Sequence, residues 1–332
     1  MQTLFPVVYS TLDPAALAEF IRQQYSMPVA SCRFLVRGVG DTYLVDADDS
    51  QFIFRVYRSS HRGIGAIEGE TTLLKTLHKA GVSVSYPIAD SKGKLIQSFE
   101  AAEGTRYGAL FSFAKGKVVP SPNEAQLRSL GQEIAKFHTI SSAITLPGVT
   151  RNFDLETTLF RPLEKTRAYF AHDMDGYEWL VKTAGDIKLA LARMNTDSFA
   201  KGYCHFDFLP KNFHFDGDKV MLFDFDFLGH GWLINDLMTF WLHLQMDLQF
   251  NRITKEKSEE SFRILIEAYR EFRAVSDEEL KAIPYLALGF WLFYMEFHST
   301  HDQFYQFIAE PAVLKMRIAF IRQLVERHWP VE

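Results

Sequence analysis

The sequence predicts an α+β chain in two lobes, a small β-rich N-terminal lobe followed by a larger helical C-terminal lobe. The first third holds several β-rich runs around one prominent helix, whereas helical spacing dominates after "AKGKVVPSPNEAQL". The helices are interrupted once, by "NFHFDGDKVMLFDF", where Asp216-Gly217 between alternating apolar runs is a hairpin signal.

Each element has its own cue. Asp13-Pro14 starts a helix. "CRFLVRGVGDTYLVDADDSQFIFRVYR" reads as two β-rich runs turned at "DADDS". Leu73, Leu74 and Leu77 mark a helix that stops at Gly81, and an extended run follows to Pro87. Two short strands are expected at "KLIQSF" and "RYGALFSFA". Ser121, Pro122 and Glu124 suggest a capping box for a helix running toward His138. Later helices are expected at "INDLMTFWLHL", at "EKSEESFRILIEAYREF" and after Ser276 with Glu279. The apolar stretch "IPYLALGFWLFYMEF" is broken by Pro284 and Glu296 and reads as a buried helix, too short to span a bilayer. The lobes are placed at residues 1–110 and 118–332, with a hinge at 111–117.

Composition narrows the function. Hydrophobic residues make up 47% of the 332 residues and 30 are phenylalanine, enough for an aromatic-rich core. A net charge of -5 argues against nucleic-acid and anionic-membrane partners, which require a basic face. Cys32 and Cys204 form no CxxC pair, and no signal peptide is evident, so a reducing cytoplasm is expected.

The hairpin brings chemistry with it. A turn centred on Gly217 puts Asn212, entering the first strand, and Asp224, leaving the second, at the open end, and Asp207 lies just upstream. Such a set of oxygen donors suits Mg²⁺ rather than zinc. His205-x-Asp207-x-x-x-x-Asn212 has the spacing of a kinase catalytic loop, in which the Asp takes the substrate hydroxyl's proton and the Asn holds a metal. His214 and His230 are read as surface or packing residues.

With "CHFDFLPKN" as catalytic loop and "VMLFDFDFLGHGWLINDL" as metal-binding segment, the chain resembles the aminoglycoside phosphotransferase and choline-kinase-like family. The resemblance extends over nearly the whole chain and implies a protein-kinase-like two-lobed fold. It implies Asp207 as catalytic base, Asn212 and Asp224 as Mg²⁺ ligands, and His205 and Asp236 as support for the loop, with Asp226 beside them. It further implies ATP or GTP as phosphoryl donor and a small-molecule hydroxyl as acceptor. A competing pattern lies in Asp224-Phe225-Asp226, the D-x-D of haloacid-dehalogenase-like phosphatases, but "FLGHG" lacks the residues that should follow and no βαβ repeat surrounds it.

A nucleotide cradle is expected at Gly38 and Gly40 in "RGVGDTYLV", although Tyr43 stands where a third glycine would be. Arg55 occupies the place of the phosphate-binding strand lysine, with Glu70 rather than Glu68 as its helix partner. Ser112 and Phe113 are expected to present backbone groups to the base. Arg55 and the sparse glycines also motivate a second reading, a catalytically weak nucleotide-binding protein on the same fold. Acidic residues of the late helices, Glu267, Glu271, Glu296 and Asp302, are candidates to receive a cationic acceptor. "MEFHSTHDQF", with Glu296, His298, His301 and Asp302, is the first choice for a substrate wall.

Overall fold

The computed structural model describes residues 5–329. Along the chain the elements are α1 (Pro14–Tyr25), β1 (Val29–Arg37), β2 (Asp41–Ala47), β3 (Ser50–Tyr57), α2 (Ile64–Lys79), β4 (Pro87–Ile88), β5 (Gln97–Ala101), β6 (Gly104–Ser112) and α3 (Glu124–Ser141). They continue with β7 (Asn152–Phe153), α4 (Arg161–Thr166), α5 (Met174–Ala192), β8 (Lys201–Cys204), β9 (Phe213–Asp216), β10 (Lys219–Leu222) and β11 (Gly229–Trp232). The last helices are α6 (Ile234–Gln249), α7 (Lys255–Arg270), α8 (Asp277–Thr300), α9 (Gln306–Ala309) and α10 (Pro311–His328). No described helix is long and apolar enough to cross a membrane.

The chain divides into two compact units. One contains the described residues up to Val118 together with Thr145–Thr150 and Phe213–Asp226; the other contains Val119–Ile144, Arg151–Asn212 and the described residues from Phe227 onward.

The first unit is built on an antiparallel sheet ordered β1-β2-β3-β6-β4, with β5 also paired to β6. Where two β-rich runs are expected at its start, the structure has three strands, because Gly38-Val39-Gly40 breaks the first run. At Gly40 a Cβ would lie 2.6 Å from the Val56 carbonyl oxygen, so only glycine lets the loop close onto β3. Asp13 caps α1 through a bond from the Ala16 amide, as its position before Pro14 predicts. Leu17, Ala18 and Ile21 of α1 share a core with Tyr43, Val45, Phe54, Val56 and Leu110. Strand alternation then turns Arg55 and Tyr57 to the opposite face of β3, where both meet Glu70 of α2.

The expected hairpin is formed by β9 and β10, paired from Phe213↔Leu222 to Asp216↔Lys219. That register makes Gly217-Asp218 the two-residue loop, one position later than an Asp216-Gly217 centre. Gly217 takes the left-handed conformation at φ 61°, as the first position of such a loop demands.

The second unit is helical around a three-stranded sheet, β7-β11-β8. Helix α3 starts later than expected: Asn123, not Ser121, is its cap, and Gln126 closes the box. Ser276 and Glu279 form the box that starts α8, which carries Pro284 in its interior. α8 is the central helix of this unit, in contact with α4, α5, α6 and α10. Its Phe290 and Phe293 rings lie against Phe206.

Candidate active site

In the second unit the loop after β8 is fastened by one carboxylate. Asp236, in the first turn of α6, accepts the His205 amide at 2.9 Å and the Phe206 amide at 2.6 Å, and Thr239 accepts the Phe208 amide at 3.1 Å. These bonds hold Phe206 at φ 61°, a conformation costing a side-chain-bearing residue about 1–2 kcal/mol. Its ring stacks on Phe153 at a centroid distance of 3.8 Å. Behind Asp236, His138 of α3 bridges to it at 2.9 Å and to the Tyr269 hydroxyl at 2.9 Å. Burial keeps the His138 ring below its ordinary pKa despite Asp236, so the neutral ring donates to Asp236 and accepts from Tyr269. His205 Nδ1 accepts the Asp207 amide at 3.2 Å, fixing the backbone at that position.

Asp207 is only 2% exposed. Its Oδ2 accepts the Asn212 amide at 2.7 Å and lies 3.0 Å from the Lys211 ammonium. Its Oδ1 is buried and meets no hydrogen-bond donor among the described residues. Asn212 also donates to the Asp207 carbonyl at 2.8 Å, so its nitrogen is committed and its amide oxygen is the atom left to offer.

In the first unit Arg55, Asp224, Asp226 and Glu70 meet with a residue that the sequence reading missed, Arg62. Arg55 donates to Asp224 at 2.9 Å and to Asp226 at 2.5 Å, while Glu70 stands 3.9 Å away. Glu70 does not have Arg55 as its close partner: Arg62 approaches it at 2.9 Å and the Tyr57 hydroxyl at 3.1 Å. Arg62 also donates to the Asp226 carboxylate at 3.1 Å and to the carbonyls of Asp226 and Ala66 at 2.9 and 3.1 Å. One guanidinium thus ties α2 to the segment carrying Asp224, which itself sits at φ 65°. Burial alone would raise the Asp226 carboxyl, but Arg55 and Arg62 hold it below the ordinary carboxylate range. Glu68 is exposed. β10 forms a ladder with antiparallel β9 and meets Val84 in one isolated parallel bridge at Leu222, so no parallel strand ladder of the kind the D-x-D phosphatase pattern requires carries Asp224 and Asp226.

The expected nucleotide contacts divide. Gly38 and Gly40 lie between β1 and β2, joined by a 2.8 Å backbone bond. Ser112 is already engaged: its amide donates to Tyr86, its carbonyl accepts from Ser85, and its hydroxyl accepts the Tyr86 amide. Phe113, by contrast, makes no backbone hydrogen bond to a described residue outside the regular elements. The Ser112 amide, carbonyl and hydroxyl are thus engaged within the first unit, whereas the Phe113 backbone is not so engaged among the described residues. His214 bonds the Ala114 carbonyl, and His230 is exposed beside Tyr203, in keeping with packing and surface roles.

The expected substrate wall follows the end of α8. Glu296 is bound by Arg161 at 3.1 Å, and Asp302 lies exposed beside His301 at 3.4 Å. Glu267 and Glu271 are engaged by Arg263 and Arg128 on exposed helix faces. His301 is buried among Phe297 and Phe304. His298 accepts from Arg317 of α10 at 3.1 Å, and burial followed by the Arg317 charge pushes its pKa down to about 3. Because the unfolded chain binds a proton at this histidine below about pH 6.5 and the folded one does not, folding stability falls as pH drops from 6.5 toward 3. The slope from this group is up to about 1.4 kcal/mol per pH unit. Urea unfolding of His298→Gln at a series of pH values is expected to give a shallower decline than wild type; parallel curves would contradict a neutral His298.

A family model described as the phosphotransferase enzyme family matches residues 31–278. An uncharacterized protein of Deinococcus radiodurans is 30% identical over 297 residues, covering 88% of this chain and 83% of that one. A homoserine kinase of Rhodopseudomonas palustris is 27% identical over 288 residues, covering 85% and 82%. Among solved structures, amicoumacin kinase in complex with AMP-PNP, Ca²⁺ and Ami superposes with a TM-score of 0.74 at 20% identity, covering 95% of this chain and 94% of that chain. The fold is therefore kinase-like, and the chain belongs to the phosphotransferase enzyme family.

Proposed function

We propose that this enzyme moves the γ-phosphoryl group of ATP or GTP to a hydroxyl of a small molecule, with Mg²⁺. Asp207 carries the reading: a buried carboxylate with one oxygen held by Asn212 and Lys211 and the other meeting no hydrogen-bond donor among the described residues, on a loop that Asp236 fixes. In that arrangement Asp207 orients the acceptor hydroxyl and takes its proton as the phosphoryl group arrives. The proposed ligands are one amide and one carboxylate, Asn212 and Asp224. Both offer hard oxygen donors of the kind Mg²⁺ takes, and substrate phosphates and water complete such sites. When bound, the ion neutralises phosphate charge.

The remaining roles follow from the two units. Arg55 is proposed to exchange its carboxylate partners for the α- and β-phosphates, with Glu70 kept in place by Arg62. Gly38, Gly40 and the Phe113 backbone are proposed to cradle the nucleotide, with residues 111–117 as hinge between lobes 1–110 and 118–332. AMP-PNP in the amicoumacin kinase complex supports ATP as donor. The free thiols of Cys32 and Cys204 are in keeping with a cytoplasmic setting. The grip of Arg55 on Asp224 favours one second reading, a catalytically weak nucleotide-binding protein.

A panel of hydroxyl acceptors assayed with ATP or GTP, with and without Mg²⁺, tests the proposal. Activity is expected to require the ion, and Asp224→Asn is expected to raise the Mg²⁺ concentration for half-maximal rate about tenfold or more. If no acceptor is phosphorylated while nucleotide binds independently of Mg²⁺, the binding-protein reading replaces it.

A further inference from the structure

The end of α8 was expected to be acidic in character, yet its carboxylates are otherwise engaged. Glu296 belongs to Arg161, and Asp302 is on the surface beside His301. What remains is a cation. Arg317 of α10 is half-buried, donates to His298 Nδ1 at 3.1 Å, lies 5.8 Å from the Phe307 ring centre, and makes no ion pair with any described carboxylate. Burial lowers its pKa to about 10, and no neighbouring carboxylate offsets that. A guanidinium taken partly out of water with only a neutral imidazole and aromatic faces as partners is an uncompensated cost that a bound anion removes.

The position is relevant to the acceptor. The Lys211 ammonium, 3.0 Å from Asp207, is near enough to His298 for its charge to act on that ring. Arg317 and His298 belong to the same unit as the base. Since Arg317 holds the Nδ1 lone pair, the neutral ring carries its proton on Nε2 and has a donor to spare.

We infer that Arg317, with His298, forms a carboxylate-binding subsite, so that the phosphoryl acceptor is a small hydroxy acid or hydroxy amino acid rather than a cationic alcohol. A planar guanidinium matches a carboxylate bidentately, and the Phe304 and Phe307 rings pack beside His298 at centroid distances of 5.8 and 5.4 Å. The inference rests on Asp207 as the base.

Matched acceptors test it: glycerate, 4-hydroxybutyrate, serine and homoserine, each beside its carboxamide, assayed for kcat/KM with Mg²⁺-ATP. The wild type is expected to prefer acids over amides by about 10- to 100-fold, Arg317→Gln to lose that preference chiefly through KM, and Arg317→Lys to restore part of it. The acid-to-amide ratio is internal to each variant and does not depend on the amount folded. Equal use of acids and amides by the wild type, or a preference that survives Arg317→Gln, overturns the subsite while leaving the kinase intact. Calorimetric titration with the same pairs reads the preference without turnover. Failure of every acceptor to be phosphorylated therefore counts against Asp207 as base, whereas equal binding of acid and amide counts against Arg317.

Discussion

Replacing Asp207 by asparagine is expected to lower kcat by about 10²- to 10⁴-fold, with nucleotide affinity and KM little changed. The substitution keeps shape and volume and still offers an oxygen to the Asn212 amide, so the loop that Asp236 and Thr239 hold stays in place. It removes the one capacity that Oδ1 has, which is to take a proton. Steady-state kinetics on any acceptor found in the panel, paired with nucleotide titration, gives the readout. A variant within threefold of wild type would show that the proton leaves by another route.

Arg62→Ala is expected to be the most damaging single change to the first unit, at about 3–5 kcal/mol of folding stability. Arg62 is 3% exposed, and its loss leaves Glu70, itself 1% exposed, with only the Tyr57 hydroxyl and a distant Arg55. Asp226 keeps Arg55, but the Asp226 and Ala66 carbonyls each lose the bond that Arg62 donates. Arg62→Lys should recover only part, because one ammonium cannot span the carboxylates and carbonyls that the guanidinium fork reaches. Urea denaturation of both variants measures the loss, and Arg62→Met combined with Glu70→Gln should be milder than Arg62→Ala alone, since no buried charge is then stranded at Glu70. A loss below about 1 kcal/mol, the range of an exposed pair, would mean that the network is solvated.

How far the sequence reached depends on the distance between partners. The Asp13-Pro14 start, the Ser276 and Glu279 box and the two-residue hairpin use residues within a few positions of one another, and they were legible. Near misses occurred where short-range cues compete: Ser121 and Asn123 are both cap residues, and Asn123 wins because Gln126 stands three positions on. Likewise Gly217 takes the first rather than the second place of its loop. Asp207 and Asn212, five residues apart, announce a shared loop, whereas Arg62 lies 164 positions from Asp226 in a stretch that already holds Arg58 and has no periodic mark. Nor could the sequence show that Ser112 is consumed by Tyr86 and Ser85, or that Glu296 is claimed by Arg161. Those facts belong to tertiary pairing.

The fastening of the loop by Asp236 has an evolutionary corollary. Its supports come from α6, α3 and α7, through Asp236 and Thr239, His138, and Tyr269. The proposed acceptor residues, His298 and Arg317, come from α8 and α10 instead, and α8 meets the loop through the Phe290 and Phe293 rings against Phe206. On the proposed roles, substitutions in α8 and α10 are expected to change which acceptor is taken while the loop supported by α3, α6 and α7 stays in place, a division of labour between two sets of helices.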